Sequence, residues 1–334
     1  MEPTLQSLAL SQDGVFTTIH ATTCGTGRRE LARLLSGGQI VSLGQGVYAL
    51  REAWPTGTGP KVDVEQHRVR CRGALLRYPD AHLCGVSLLA VVGVDLWGVP
   101  LDRVDLVRPI RQQVLTQSYR IRPVEPISRP AGNGQEAIAA ACVQLCLDYG
   151  VMPAICSMDN ALRDQHTAYD MLEHVAAGIT GRARSSRLAT VLPLVDARSD
   201  SVGESRMRVS LATMGFKVLV QVEVMEGGRT VASADLGIDG TNYLIEFDGR
   251  VKYGGGDPEV LWAEKRREDR IRRRGNVVDR FIWGDLDRPA VLRARVNAGV
   301  SDSERCPSTW EENQRLRTVW PGPRGRSDGS RRSA

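Results

Sequence analysis

The chain has 334 residues, of which 42% are hydrophobic and 25% charged, so it is long enough for two or three domains with ordinary cores. Its seven cysteines are odd in number and have no paired CxxC spacing, which supports neither a disulfide framework nor a zinc site. The net charge is only +5, but arginines crowd residues 266–274 and 324–332, as suits a polyanionic partner. A solvated helix face and a solvated tail explain these clusters equally well.

The chain shows no targeting or membrane signal. Its first residues lack a basic segment followed by an apolar stretch, and nowhere do about 18 apolar residues run without a charge. We therefore expect a cytoplasmic protein with no membrane partner, and the sequence does not indicate its oligomeric state.

Residues 1–53 predict a winged helix-turn-helix DNA-binding module. The pattern predicts three helices and then a β-hairpin, at residues 4–11, 17–24, 26–35 and 39–50. Thr26 is the predicted N-cap of the third helix. Arg28, Arg29 and Arg33 avoid the apolar face of that helix, so we predict that they contact duplex DNA. A generic three-helix scaffold with solvated arginines is the alternative.

Residues 61–200 predict a mainly helical connector or interaction domain. The pattern predicts six helices, at residues 64–78, 87–94, 134–149, 159–165, 168–177 and 184–194. Two short strands, at residues 104–108 and 119–122, interrupt these helices. The four histidines of this region share no ligand spacing, so they are expected to be surface or hydrogen-bonded residues.

Residues 201–295 predict a mixed α/β domain. Its elements follow in the order helix, strand, strand, strand, helix, strand, at residues 204–214, 218–224, 230–238, 243–248, 258–274 and 277–283. Asp257 as N-cap, Pro258 and Gly275 mark the two ends of the long helix. Residues 300–334 are rich in Pro, Gly, Ser and Arg and are expected to form a disordered basic tail.

Acidic residues converge on one side of a predicted hairpin in this domain. With a four-residue loop at 239–242, Asp235 lies directly opposite Glu246, a pairing of like charges that costs stability. A two-residue turn would set Asp235 opposite Leu244 instead. The strand period of two places Asp248 on the face of Glu246. Such carboxylates suit Mg²⁺ or Mn²⁺ and the metal-assisted hydrolysis of phosphodiesters, whereas a surface hairpin with solvated acids is the alternative.

Further residues are placed to assist this site. Lys252, four residues past Asp248, is within reach of the same phosphate. Glu264 has the helical spacing from Ile271 that would turn it toward the sheet, and Lys265 lies beside it. In this hypothesis Lys252 or Lys265 stabilises the charged transition state.

These positions resemble the PD-(D/E)XK nuclease superfamily, in its branch similar to very-short-patch-repair endonucleases. The resemblance is carried, in order, by Asp235, Glu246-Phe247-Asp248-Gly249, Lys252, Glu264 to Asp269 and Arg280-Phe281. It implies a restriction-endonuclease-like mixed sheet flanked by helices. Glu204 matches the acid that this branch carries on its first helix, which implies an assisting role. Asp248 stands where the superfamily has lysine, and Lys252 where the branch often has histidine.

The N-terminal module, with Gly46-Val47-Tyr48, resembles AbiEi-type antitoxin and regulator proteins of actinobacteria. The segment 158–162 also fits that group, and the combined resemblance covers about residues 12–290. It implies duplex DNA and a cognate toxin protein as partners. One hypothesis is a Mg²⁺-dependent DNA endonuclease acting in defence, repair or a toxin-antitoxin system. The other is a non-catalytic transcriptional regulator that represses its own operon, while a pure interaction adaptor leaves the opposed acids unexplained.

Overall fold

The computed structural model describes residues 1–125, 134–179, 181–226, 229–249, 271 and 275–304. The chain folds into two compact units of mixed helix and sheet, which confirms the predicted α/β (α+β) class. The first unit contains residues 1–157 and 165–189, and the second contains 158–164 and the described residues from 190 onward. The finer division into four regions stays a prediction. No helix in the described ranges is long and apolar enough to cross a membrane.

The first unit begins with the helix and hairpin order of a winged helix-turn-helix. Its elements are α1 (Pro3–Ser11), β1 (Val15–Thr17), α2 (Thr18–Thr23), α3 (Arg28–Ser36), β2 (Ile40–Gly44) and β3 (Val47–Leu50). The three strands form an antiparallel sheet in the order β1-β3-β2. The helices bury a core with this sheet, formed among others by Leu5, Phe16, Ala21, Leu31, Leu34 and Ile40.

The third helix begins at Arg28, one residue later than an N-cap at Thr26 implies. Its N-cap is Gly27 and not Thr26. Thr26 is buried, and its N–H donates to the carbonyl of Ala21 at 2.8 Å, so Thr26 closes the turn after α2. The hydroxyl of Thr26 is buried without a hydrogen-bond partner among the described residues, so the side chain that was expected to cap the helix does not reach its N–H groups.

The hairpin of β2 and β3 packs against the next helix of the first unit, α4 (Pro60–Arg77). An apolar cluster joins the sheet to this helix, formed by Val15, Leu43, Val47, Ala49 and Val69. Gly73 on α4 allows the close approach, since a Cβ at that position would lie 2.5 Å from a methyl of Val47. At the hairpin tip, the Tyr78 hydroxyl donates to Gln45 Oε1 at 3.3 Å. Packing against α4 therefore fixes one face of the hairpin, and the hydrogen bond from Tyr78 fixes its tip.

The rest of the first unit combines helices with a small mixed sheet. The elements are β4 (His82–Leu83), α5 (Gly85–Val92), β5 (Val104–Arg108), β6 (Val114–Leu115), β7 (Tyr119–Pro123), α6 (Gln135–Tyr149), α7 (Val151–Arg163), α8 (Tyr169–Ala177) and α9 (Ser186–Val191). The last residues of α7, from 158, and of α9, from 190, belong to the second unit. The sheet order is β4-β5-β7-β6. Strands β4 and β6 were not predicted, because two residues are too short to show alternation. As expected of a hydrogen-bonded histidine, buried His67 contacts Leu101 O and Ser87 Oγ.

The second unit is built on a mixed four-stranded sheet. Its elements are α10 (Val202–Thr213), β8 (Val218–Glu226), β9 (Arg229–Ile238), β10 (Tyr243–Phe247), β11 (Val277–Phe281), α11 (Trp283–Leu286) and α12 (Pro289–Glu304). The strand order is β11-β10-β9-β8, and β10 and β11 are parallel. A parallel pair requires a crossover connection. The helix predicted at 258–274 falls in that crossover and, apart from Ile271, lies outside the described residues.

An apolar core covers each face of this sheet. One face carries Met207, Leu211, Tyr243, Ile245, Phe281, Leu292 and Val296, and the other carries Leu219, Val222, Leu244, Ile271 and Val278. Leu244 thus faces away from Tyr243 and Ile245, which confirms the predicted alternation. The buried Ile271 confirms its predicted inward position.

The C-terminal end departs from the prediction in two places. Strand β11 ends two residues early, because the Asp285 carboxylate accepts the N–H of Ile282 at 2.9 Å and begins α11. Helix α12 continues past residue 300, where a disordered tail was predicted, since Val300 packs on the core and Ser303 is buried. The remainder of the predicted tail, residues 305–334, lies outside the described residues.

Candidate functional site

Strands β9 and β10 pair in the predicted register. Leu244 lies opposite Gly237, as a four-residue loop requires, and the two-residue turn is excluded. The recorded pairing ends with Leu236 opposite Ile245, and the next position in the same register sets Asp235 opposite Glu246. The opposed acids that the sequence predicted therefore occupy neighbouring positions of the sheet.

Asp235 is anchored to the adjacent strand. Its Oδ2 accepts the backbone N–H of Phe247 at 2.8 Å, directly beside Glu246. A hydrogen bond of this kind favours the ionised carboxylate and fixes its position. Asp235 thus presents a held negative charge next to the buried acid of β10.

Glu246 is buried and has a cationic partner that the sequence did not reveal. Arg280 lies opposite it on β11, and the guanidinium donates to Glu246 Oε2 at 2.9 Å. The only sequence signal is an arginine within the otherwise apolar end of a predicted strand. This ion pair offsets part of the like-charge repulsion between the opposed acids.

Glu204 lies in the first turn of α10. Ser201 Oγ accepts the N–H of Glu204 at 3.2 Å, and Glu204 Oε2 accepts the N–H of Asp200 at 2.9 Å. The spacing Ser-x-x-Glu is that of a capping box, so the acid helps to begin the helix. The side-chain amide of Gln221 also donates to Glu204 Oε2, at 3.3 Å. Glu204 is therefore tied both to its own helix and to β8.

Gln221 brings the helix acid to the strand acids. The pairing of its neighbours on β8 with β9 sets Gln221 opposite Asp235. Its φ of 51° is unusual for a residue with a side chain. Val220 packs on one face of the sheet and Val222 on the other, so the strand changes face at this residue. Gln221, which sequence reasoning missed, therefore links Glu204 with the position of Asp235.

Electrostatic repulsion acts on Glu204. Burial raises the pKa of this carboxyl, and the negative charges of Asp235 and Asp200 raise it further, to about 7. Hydrogen bonds from the Asp200 N–H and the Ser201 hydroxyl lower the pKa without cancelling these effects. Since the charges that raise this pKa are negative, a bound cation would relieve them.

The other predicted site residues are less informative. Asp248 directly follows β10, is half-buried, and donates its N–H to the carbonyl of Phe281 at 2.8 Å. Lys252, Glu264 and Lys265 lie outside the described residues. Over the described ranges, no three His, Cys, Asp or Glu side chains are assembled as a ready metal site. The chemistry of the acids still fits a hard divalent cation, because the charge of Asp235 acts on Glu204 and the strand register continues to place Asp235 opposite Glu246.

The predicted DNA-contacting arginines are all exposed on α3. Arg28 and Arg29 occupy its first turn, where the helix dipole also favours an anion. Arg33 forms a two-point ion pair with Glu30, at 2.6 and 2.9 Å. The neighbouring carboxylate weakens the attraction of Arg33 for phosphate, so Arg28 and Arg29 are the stronger candidates.

The raised pKa of Glu204 predicts a pH dependence of stability. The folded protein holds this proton up to about pH 7, whereas the carboxyl ionises near 4.5 when unfolded, so stability is lost as the pH rises between these values. Urea unfolding at about pH 5 and about pH 8 should show a smaller pH effect in Glu204→Gln, which keeps a residue type suited to the capping box. Glu223→Gln, at an exposed position on β8, is the control. An unchanged pH effect in Glu204→Gln would contradict the prediction.

No known protein family's profile matches the chain. The chain is similar to the uncharacterized proteins Rv2248 and MT2308 of Mycobacterium tuberculosis, from strains H37Rv and CDC 1551. Each is 24% identical to it over 273 residues, a stretch that covers 80% of this chain and 95% of the relative. Neither name states a function, so the function must be inferred from the site itself.

Proposed function

We propose that the protein binds duplex DNA through α3 and cleaves DNA phosphodiester bonds with a divalent metal held by Asp235, Glu246 and Asp248, assisted by a further acid, Glu204. The observation that carries the catalytic part is geometric. The register of β9 with β10 sets two of these acids opposite each other, and Gln221, opposite Asp235, is hydrogen-bonded to Glu204. Opposed buried acids cost stability, which favours a functional reason for keeping them.

The residues of the proposed site would have distinct roles in metal binding and catalysis. Bound Mg²⁺ or Mn²⁺ supplies charge that polarises a phosphate and lowers the pKa of a water molecule. Asp235, fixed by the N–H of Phe247, and Glu246, fixed by Arg280, would hold the metal, with Asp248 as a further ligand. Glu204 would assist from α10. Lys252 or Lys265 keeps the predicted role of stabilising the charged transition state.

Incubation of the purified protein with supercoiled plasmid tests the proposal. Nicked or linear DNA is expected with Mg²⁺ or Mn²⁺, and intact plasmid is expected with EDTA. Millimolar Mg²⁺ should also raise the melting temperature, because a ligand that binds the folded state stabilises it. If the plasmid stays intact and the melting temperature does not change, the nuclease hypothesis is wrong.

A non-catalytic regulator or antitoxin is the second candidate. It is favoured by the ion pair of Arg280 with Glu246, which already neutralises the central acid, and by Asp248 at the position where the nuclease superfamily has lysine. This candidate predicts DNA binding without cleavage and a cognate toxin protein as partner. Both candidate functions imply a protein that acts in the cytoplasm.

The DNA-binding part makes a separate prediction. Arg28→Ala/Arg29→Ala is expected to weaken duplex binding in a fluorescence anisotropy assay, because two phosphate contacts are lost. The slope of log affinity against log salt should fall by about 2. Arg111→Ala/Arg293→Ala removes the same charge from exposed positions elsewhere and should bind as the parent does. Full affinity in a folded Arg28→Ala/Arg29→Ala variant would remove α3 as the DNA-contacting helix.

A further inference from the structure

A buried ion pair anchors α10 within the second unit. Asp159 on α7 is 1% exposed, and its Oδ2 accepts a hydrogen bond from Arg208 Nη2 on α10 at 2.5 Å. Its other oxygen, Oδ1, accepts the N–H of Asp196 at 2.7 Å. The carboxylate therefore joins two segments that are distant in sequence.

Arg208 extends this connection to the residues that lead into α10. Its Nε donates to Ser199 Oγ at 3.2 Å, and its Nη1 donates to the carbonyl of Leu194. The segment from 194 to 199 ends just before the N-cap, Ser201. A single guanidinium thus fixes α7, the entry to α10, and α10 itself.

The position of Arg208 determines what this anchor controls. Arg208 follows Glu204 by four residues, so the two side chains lie one turn apart on the same side of the helix. A rotation or shift of α10 would separate two buried charges, which is strongly unfavourable. The anchor therefore holds α10 where Glu204 reaches Gln221, opposite Asp235.

We infer that Asp159 is a positioning residue, which acts through Arg208 to hold Glu204 at the proposed metal site. The inference rests on the proposed function, since it assumes that Glu204 faces a bound cation. It assigns a role to the segment 158–162, which the catalytic proposal does not use. Asp159 itself contacts Arg208 and the N–H of Asp196, so it contributes by fixing the helix.

Mn²⁺ affinity of the full chain, measured by electron paramagnetic resonance, tests the inference without an activity assay. Asp159→Asn is expected to weaken Mn²⁺ binding by up to about 10-fold, the lower end of the loss seen when a partner bonded directly to a metal ligand is removed. In a Glu204→Gln background the same change should cause no further loss, because the residue through which it acts is already altered. Additive losses would show that Asp159 does not act through Glu204.

Two further variants keep the test decisive. If Asp159→Asn fails to fold because Arg208 is left unpaired, Asp159→Asn/Arg208→Met removes both buried charges and should still bind Mn²⁺ weakly. Asp196→Asn breaks the neighbouring ion pair with Arg198 and should leave Mn²⁺ affinity unchanged. If the folded Asp159 variants bind Mn²⁺ as tightly as the parent does, the inference is wrong and the proposed function is unaffected. No Mn²⁺ binding by the unmodified protein overturns the proposed function and the inference with it.

Discussion

Asp235→Asn is expected to abolish metal-dependent cleavage of supercoiled plasmid while leaving duplex binding by the first unit nearly intact. The carboxylate lies opposite Glu246 and is held by the N–H of Phe247, so its loss removes a fixed metal ligand. Losing a ligand affects the chemical step, whereas the arginines of α3 are untouched. Agarose gels of plasmid and anisotropy of a labelled duplex measure the two activities separately.

A matched control distinguishes loss of a ligand from loss of a charge. Asp239 lies in the loop of the same hairpin, and Asp239→Asn makes the same chemical change away from the paired acids. It should cleave at the parental rate. Cleavage by Asp235→Asn at that rate would show that its carboxylate does not hold the metal. Equal loss in both variants would point instead to the net charge of the hairpin.

Gly299→Ala is expected to destabilise the second unit strongly. Gly299 lies on α12 against the ring of Tyr243, and an added Cβ would come within 2.1 Å of that ring. The ring is completely buried, and its hydroxyl donates to Asp279 at 2.7 Å, so it has little freedom to move. Overpacking of this kind costs about 1–3 kcal/mol, despite a gain of about 1 kcal/mol in helix propensity. Urea unfolding measures the difference.

Gly284→Ala is the control for the substitution itself. Gly284 lies in α11, and no atom lies within 4 Å of the position that its Cβ would take. This variant should unfold at the parental urea concentration or slightly above it. If Gly299→Ala proved as stable as Gly284→Ala, the packing of α12 against Tyr243 would be loose enough to accept a methyl group.

The position of the opposed acids could be predicted because it depends on local pattern. The strand period fixes which residues share a face, and the loop length fixes which residues lie opposite each other. Both quantities can be counted along the chain, and Asp235 and Glu246 lie where the count placed them. The capping pattern around Glu204 is local in the same sense.

The partners of these acids depend on tertiary structure and could not be counted. Arg280 reaches Glu246 only because β11 returns beside β10 through a long crossover. The backbone of Gln221 turns left-handed within a run of strand residues, where periodicity predicts no change of face. The change in stability on neutralising Glu246 could therefore not be estimated from the opposed acids alone. Neutralising Glu246 would also break its ion pair with Arg280 and not simply relieve repulsion.

The contacts of the β2–β3 hairpin with α4 and Tyr78 determine whether the N-terminal helices and hairpin could fold by themselves. The sheet face that carries Val15 and Val47 is covered by α4, and the hairpin tip is bonded to Tyr78. A segment cut at residue 53 would carry that apolar face into water. The N-terminal module therefore cannot be moved to another protein without α4, because α4 belongs to its hydrophobic core. Any protein that uses this N-terminal unit of helices and hairpin therefore needs α4 as well.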